Sequence, residues 1–474
     1  MKPIRRAALV LTLAAALLAA APPVPAAAGI FGDVTIADEI EMGRKFHKMV
    51  LERLQLVRDP EVTGYVRRLV KRVTEAMPPE PFPIKTYVIN NNAMNAFAVP
   101  GGYVYVFSGL LLNLDSEAEV AAVVAHELAH VHHHHVARRM ERMQLVNLGA
   151  LVATLGGAFL GAAGGGGAAG ELGGALIMGS QAGRASAFLS YTREMEREAD
   201  NSGYAFMVDS GYNPQAMVSA FETMRKKKWY MGAGDIPSYL STHPGLNERI
   251  GYVKDLIDRS PEELTRRENS NEAYHRVQAL LRAKLADPQA ALAHYRNIPP
   301  ANRTCMDHLG LGLVYERVRK VAKAGEQLDK AADCAPDDPA VNREVGRYWF
   351  ERGDYQEAGR YLQKAVILNP DDADTLFIYA RLLTEIGQTK SALDFYKRAL
   401  QADPKDPDVR YHYGRALGAA KQFFQAHLQL AYAELYSNDL NKAEFHIDKA
   451  ASLVKNDTQK EQLDKLKELF EKRS

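Results

Sequence analysis

Ala118-Glu119-Val120-Ala121-Ala122-Val123-Val124-Ala125-His126-Glu127-Leu128-Ala129-His130 is the stretch on which the fold of this chain turns. No Gly or Pro interrupts the run from Ala118 to Met143, and Asp115 or Ser116 stands where a helix N-cap belongs, so the run is expected to form one helix. Residues four apart share a helix face. His126 and His130 therefore point the same way, an arrangement that lets two imidazoles hold one Zn²⁺. Glu127 sits beside them, where a carboxylate can act as general base toward water. Val120, Val123 and Val124 supply the apolar face that would bury this helix.

A zinc centre of this kind needs a third protein ligand and one open position. The metzincin pattern asks for Gly three residues and His six residues after the second histidine; the chain has His133 and Val136 there, which excludes that class. Glu194, Glu196 and Glu198 are the remaining candidates, and spacing does not choose among them. Asp200 falls one turn after Glu196 and shares its face, so it can hold the far nitrogen of a ligand histidine. His243, in the loop Ser241-Thr242-His243-Pro244, can stabilise an oxyanion or cap the metal as a removable fourth ligand. His132 to His135 read as solvent-facing or as a weak secondary metal site.

Around this helix the chain divides. Met1 to Ala28 has a charged start, an apolar run from Ala7 to Ala21 and small residues at Ala26-Ala27-Ala28; residues 1–28 are expected to be a signal peptide cleaved near Ala28, which places the mature chain outside the cytoplasm. The apolar run is short for a bilayer span. A formal net charge of +1 argues against a nucleic-acid partner and leaves at most peripheral membrane contact. Residues 36–78 read as two helices broken near Asp59-Pro60, and Ile84 to Asn90 as a strand. Asn95 to Val99, a Pro100-Gly101-Gly102 turn, and Tyr103 to Phe107 read as a hairpin. Its edge can hold an extended substrate, with Phe97, Ala98, Val99, Tyr103, Val104 and Tyr105 as the candidate binding residues. Leu145 to Gly170 has no charge and many Gly and Ala; a loop or lid over 145–185 is the expectation, and a membrane-embedded segment the weaker alternative.

From residue 272 the pattern is helical and repeats. Ala324, Ala358 and Ala392 are spaced by one constant step, as are Ala331, Ala365 and Ala399, and Pro336, Pro370 and Pro404. A step of 34 residues resembles the tetratricopeptide repeat. Three repeats are in register at 305–338, 339–372 and 373–406, and a helix pair near 408–436 is expected to be irregular. Cys305 and Cys334 fall at the start and near the end of the first repeat, ends that a helical hairpin brings together, so a disulfide between them is expected.

Four segments in one order, Asn95 to Gly102, His126 to His130, Glu196-x-x-Ala199-Asp200 and Ser241 to Pro244, resemble the zinc metallopeptidase family of the CaaX prenyl endopeptidase and the HtpX peptidase, in its soluble periplasmic branch that carries tetratricopeptide repeats. The likeness is specific over 33–265 and looser over the repeats. It implies a mainly α chain: an α+β gluzincin-type domain at 33–265 with a small hairpin or sheet, followed by an all-α solenoid at 272–474. It implies that His126, His130 and Glu196 hold one Zn²⁺ per chain, that Glu127 is the base, that Asp200 supports a ligand and that His243 lies near the metal. The function implied is a cell-envelope endopeptidase that degrades misfolded or stalled outer-membrane proteins and assists their assembly. Unfolded or misassembled outer-membrane proteins would be its substrates, and the barrel-assembly machinery a partner reached through the repeats. The competing expectation is a periplasmic chaperone or assembly adaptor acting through the repeats, with rare, gated proteolysis.

Overall fold

The computed structural model describes residues 34–142, 191–231, 239 and 242–471, so the expected signal peptide and the glycine-rich 145–185 segment lie outside the described residues. The chain is mainly α, with one small sheet near its start and a long series of helical pairs after it. Helices α1 (Ile36–Arg53) and α2 (Pro60–Glu75) are separated where Asp59 caps α2 by accepting the N–H groups of Glu61 and Val62. Pro60 occupies the first helical position, where no N–H is needed.

Strands β1 (Lys85–Ile89), β2 (Ala96–Val99) and β3 (Tyr103–Phe107) form a sheet in the order β1-β3-β2. β2 and β3 make the expected antiparallel hairpin, while β1 pairs with β3 in parallel. Gly101 and Gly102 turn the chain at φ of +78° and +81°, and a Cβ on Gly101 would stand 2.8 Å from the Glu39 carbonyl oxygen. Alternation sends Phe97, Val99, Tyr103, Tyr105 and Phe107 against Met42, Phe46 and Val50 of α1. The other face, Ala96, Ala98, Val104 and Val106, belongs to the main core that contains the pentad helix.

After the short α3 (Ser108–Asn113), the expected single helix from Ala118 to Met143 is divided into α4 (Glu117–His132) and α5 (His135–Arg142). The break is at His133-His134, where His134 adopts a left-handed φ of 49°. The strain is offset because the turn sends each ring to its own partner: His134 pairs with Glu39 at 2.8 Å, His132 with Glu80 at 2.8 Å, and His133 with Ser202 at 2.7 Å. Helices α6 (Arg193–Asp209), α7 (Gln215–Met231) and α8 (Leu246–Asp258) complete the unit. α6 crosses α4 at Gly203, where a Cβ would be only 3.2 Å from the backbone of His126.

Beyond a one-turn helix at Glu262–Thr265, α9 (Glu272–Lys284) puts Tyr274, Val277, Leu280 and Leu281 into the same core as α2 and α4. Its Tyr274 hydroxyl donates to the carbonyls of Leu111 and Leu114. Buried and half-buried charges continue the junction: Lys284 lies 2.8 Å from both Asp59 and Glu344, Arg276 is 2.5 Å from Asp338, and Arg343 is 2.9 Å from Asp372. The first helices of the repeats are thereby keyed to the N-terminal unit by geometry that a slipped register would leave unpaired.

The repeats are the helical pairs Cys305–Arg317 with Val321–Cys334, Pro339–Glu351 with Tyr355–Leu368, and Ala373–Glu385 with Thr389–Ala402. The pair expected to be irregular, Pro407–Ala419 with Phe423–Tyr436, is regular. Gly414 accepts the Leu430 side chain as Gly312 accepts Leu328 and Gly346 accepts Leu362, so the same small-residue contact holds the pair in step. Helices Leu440–Ala451 and Asp457–Glu471 close the stack. No helix among the described residues is long and apolar enough to cross a membrane.

Cys305 and Cys334 are joined by a disulfide with their Cα atoms 5.6 Å apart. Closing a loop of this length is worth about 3.6 kcal/mol through the unfolded chain. Cys305→Ser with Cys334→Ser is expected to destabilise the first repeat by roughly that amount. Urea melts of the double variant against the oxidised protein check it; no change in midpoint would remove the disulfide from the stability of the repeat.

Candidate metal centre

Four buried donors converge between α4, α6 and the segment before α8: His126, His130, Glu196 and His243, with their ligand atoms all within 4.8 Å of one another. Their placement follows from local structure. Ser116 caps α4 by accepting the Glu119 N–H, and α4 then carries His126 and His130 on one inward face. Thr192 caps α6 by accepting the Met195 N–H, which starts the helix so that Glu196 and Asp200 face inward together. Of the three candidate glutamates, Glu194 is exposed, Glu198 sits away from the cluster against His135 and Arg138, and Glu196 is in it.

The partners of each imidazole determine where its proton lies. His126 Nδ1 is 2.8 Å from Asp200 Oδ1, so it carries the hydrogen and Nε2 is a bare lone pair. His135 Nε2 is 2.9 Å from Glu198 Oε2 and must donate to it, which leaves His135 Nδ1 an acceptor. His130 Nδ1 lies 2.7 Å from that acceptor and therefore carries its own hydrogen, leaving His130 Nε2 bare. The two bare nitrogens, His126 Nε2 and His130 Nε2, face each other at 2.9 Å. Two lone pairs so placed repel unless a cation lies between them. The donor set therefore fits a divalent metal, with Glu196 as the anionic member.

Charges around the cluster are closely arranged. Arg249 of α8 pairs with Asp200 at 2.7 and 2.8 Å, and its Nη1 lies 2.6 Å from Glu196 Oε2 as an ion pair. Burial alone would raise the Glu196 carboxyl, but His243 and Arg249 outweigh it and hold the group well below the carboxylate range. Burial likewise opposes ionisation of Asp200, and Arg249 and His126 overcome it; Tyr252 also donates to this carboxylate. Burial holds His126 and His130 neutral, as metal ligands must be. Burial pushes Glu127 up to about 7 against the pull of His243. His243 Nδ1 is 2.9 Å from Glu196 Oε1 and its Nε2 is 3.4 Å from Glu127 Oε1; burial opposes its charge, yet the two carboxylates raise it. Tyr191 stacks on His130 at 3.9 Å and Tyr239 on His243 at 4.3 Å, enclosing the centre.

The hairpin borders this centre through its backbone. The Ala98 N–H donates to the Glu127 carboxylate. The side chains of Phe97, Val99, Tyr103 and Tyr105 are buried behind the sheet against α1, and Val104 faces the main core, so none of these side chains is open to a ligand in this structure. Arg249 and Tyr252 have no place among the site residues expected from the sequence. A helix phase signal existed for Arg249, since it and Tyr252 stand three apart on one face. His135, read as solvent-facing or a weak metal site, is wholly buried and holds the ring of His130. His135→Leu is expected to weaken metal binding about 10- to 100-fold, and His135→Gln, whose amide can both accept and donate, to recover most of it. Competition with a chelator measures both; equal affinity in all three proteins would leave His135 no part in holding His130.

Two facing imidazoles, a carboxylate and an adjacent buried glutamate on an α+β scaffold define a metallopeptidase centre. The model of Peptidase family M48 matches residues 58–257, and a tetratricopeptide-repeat model matches residues 350–411 and 383–432. The chain is similar to the putative beta-barrel assembly-enhancing protease of Vibrio cholerae, 32% identical over 309 residues, which is 64% of this chain and 62% of that protein. It is 32% identical over 222 residues to the beta-barrel assembly-enhancing protease of Escherichia coli, covering 47% of this chain and 44% of that one. The mitochondrial metalloendopeptidase OMA1 of Schizosaccharomyces pombe is 29% identical over 256 residues, 53% of this chain and 70% of that protein. The chain thus spans from 44% to 62% of the two bacterial relatives.

Proposed function

We propose that the protein is a zinc-dependent endopeptidase of the bacterial periplasm, exported by residues 1–28, that cleaves misfolded or stalled outer-membrane proteins and assists their assembly. The observation that carries the reading is the pair of bare imidazole nitrogens beside Glu127. The names of the similar bacterial proteins support the choice of substrate. His126, His130 and Glu196 would hold one Zn²⁺, which supplies a Lewis acid at the scissile carbonyl. Glu127 takes the proton of the attacking water and returns it to the leaving amine. Asp200 and Arg249 keep His126 and Glu196 oriented. His243, charged between Glu127 and Glu196, donates its Nε2–H to the developing oxyanion. β2 is an edge strand among the described residues, and the outward backbone groups of Ala96 and the carbonyl of Ala98, whose N–H is given to Glu127, accept an extended substrate; the side chains of Phe97, Val99, Tyr103, Val104 and Tyr105 hold that edge in place.

The test is digestion of an outer-membrane barrel protein presented unfolded in urea-diluted form or folded in detergent. Cleavage of the unfolded form alone, abolished by chelation and restored by Zn²⁺, is expected; equal cleavage of both forms would remove the selectivity for misfolded substrate. Because Glu127 acts ionised, the rate should rise with pH along an acid limb centred at or below about 7. A rate that falls between pH 5 and 7 contradicts this assignment.

A second reading, an assembly adaptor with gated proteolysis, is favoured by one observation. His126, Glu127, His130, Glu196 and His243 are all buried, so the centre is closed in this state. Cells carrying Glu127→Gln separate the two: retained outer-membrane assembly supports the adaptor, and complete loss supports the endopeptidase.

A further inference from the structure

Arg343, Phe377 and Tyr411 are separated by the repeat step, and so are Arg347, Arg381 and Arg415. All lie on the first helices of consecutive pairs, and the first helices of these three pairs approach one another more closely than their second helices do, which makes them the inner wall of the stack. The near end of that wall is occupied from within the chain. Arg343 is buried against Asp372 and Glu344, Lys284 reaches Glu344 beside Asp59, and Arg347 pairs with Glu316, Glu344 and Glu351.

The far end differs. Among the described residues, Arg381 and Arg415 make no ion pair. Asp408 and Glu385 are felt electrostatically nearby but pair with neither arginine. Both guanidinium groups are instead laid on rings: Arg381 is 4.9 Å from the Phe350 ring centre and 5.7 Å from that of Phe377, and Arg415 is 5.9 Å from that of Tyr411. His412 joins the two sides, 5.5 Å from Phe377 and 5.5 Å from Tyr411. Tyr411 is 42% exposed. Burial and the two arginines push His412 down to about 4, so its ring is neutral at physiological pH and the positive charge of this surface is that of the guanidinium groups.

We propose that the groove lined by Phe377, Arg381, Tyr411, His412 and Arg415 docks an extended polypeptide segment whose acidic side chains alternate with aromatic or apolar ones. Charge complementarity selects this occupant: two unpaired cations are fixed on rings, so carboxylates find preorganised forks and the flanking side chains find aromatic faces. An unfolded segment offers both in extended form. The proposal rests on the endopeptidase reading given above and adds the chemistry by which the repeats would recruit its substrates.

The full chain carrying Glu127→Gln, which removes cleavage, is titrated against a fluorescein-labelled, C-terminally amidated dodecapeptide of alternating Asp and Phe. Anisotropy is expected to show binding that weakens with salt and falls at least about tenfold in Arg381→Ala with Arg415→Ala. Phe377→Ala with Tyr411→Ala should fall similarly, and replacing Asp by Asn in the peptide should reproduce the loss on the unaltered groove. Far-UV circular dichroism melts establish that each variant is folded, and Arg381→Lys with Arg415→Lys, which keeps charge but not the planar fork, should bind at an intermediate level. Undiminished binding in the folded alanine variants overturns the proposal. So does a free-carboxylate Asn peptide binding where the amidated Asp peptide does not, since that groove would capture chain ends. Cleavage by the wild-type chain is measured separately, so a protein that binds without cutting, or cuts without binding, shows which reading has failed.

Discussion

Arg249→Met is expected to destabilise the N-terminal unit by about 3–5 kcal/mol. Arg249 is 2% exposed, and its guanidinium is the cation shared by Glu196 and Asp200. It also lies 4.4 Å from the Phe221 ring centre, so its stem and face are packed as well. Met would fill similar volume but leave buried Asp200 without its counter-charge and Glu196 with only His243 to offset its own. Bound zinc replaces part of the lost charge at Glu196, so the deficit should be larger in chelator than in zinc. Urea melts in both conditions measure it, and a deficit under about 1 kcal/mol in chelator would show that the pair is not held by this arginine. The sign with pH follows from Asp200, which Arg249 and His126 hold below its ordinary value of 3.8. The stability contributed by this group is present above that value and is lost as pH falls below it; in the variant that acid-side loss should shrink.

Glu127→Gln is expected to lower kcat/KM about 10³-fold while leaving zinc content unchanged. The replacement is close to isosteric, and Glu127 is not among the four donors that converge on the centre. It removes the group that would move the proton and also the carboxylate facing His243. Retention of more than a tenth of the wild-type rate would take the role of base away from Glu127. Loss of zinc with the rate would instead give Glu127 a part in holding the ion.

The pentad helix and the hairpin were legible because their signals are local. His126 and His130 share a face by helical period, and Phe97 alternates with Ala98 across the strand whatever surrounds them. Repeat length was legible for the same reason, since Gly312 and Gly346 mark one contact repeated along the chain. The failures came where a distant partner decided the outcome. The run from Ala118 to Met143 has no residue that forbids a continuous helix, yet it breaks at His134, whose ring is taken by Glu39. His135 reads as polar surface from its neighbours and is buried because α6 brings Glu198 over it. The fourth helical pair reads as out of phase from its alanines and is in step because Gly414 meets Leu430.

By itself the sequence determined the order of the parts: an α+β unit with two histidines on one helical face, then helical pairs at a step of 34 residues. It also confined the anionic donor to three glutamates on one later helix. The family resemblance points to Glu196, but the physical reason lies only in the tertiary structure: the way α6 lies across α4, with its close approach at Gly203, sets Glu196 rather than Glu194 or Glu198 against the two bare nitrogens. Only the tertiary structure brought Arg249 between Glu196 and Asp200 and left Arg381 and Arg415 without an ion pair among the described residues. Local pattern follows from the backbone's own periods; the balance of buried charge depends on which segments meet, and no local pattern records it.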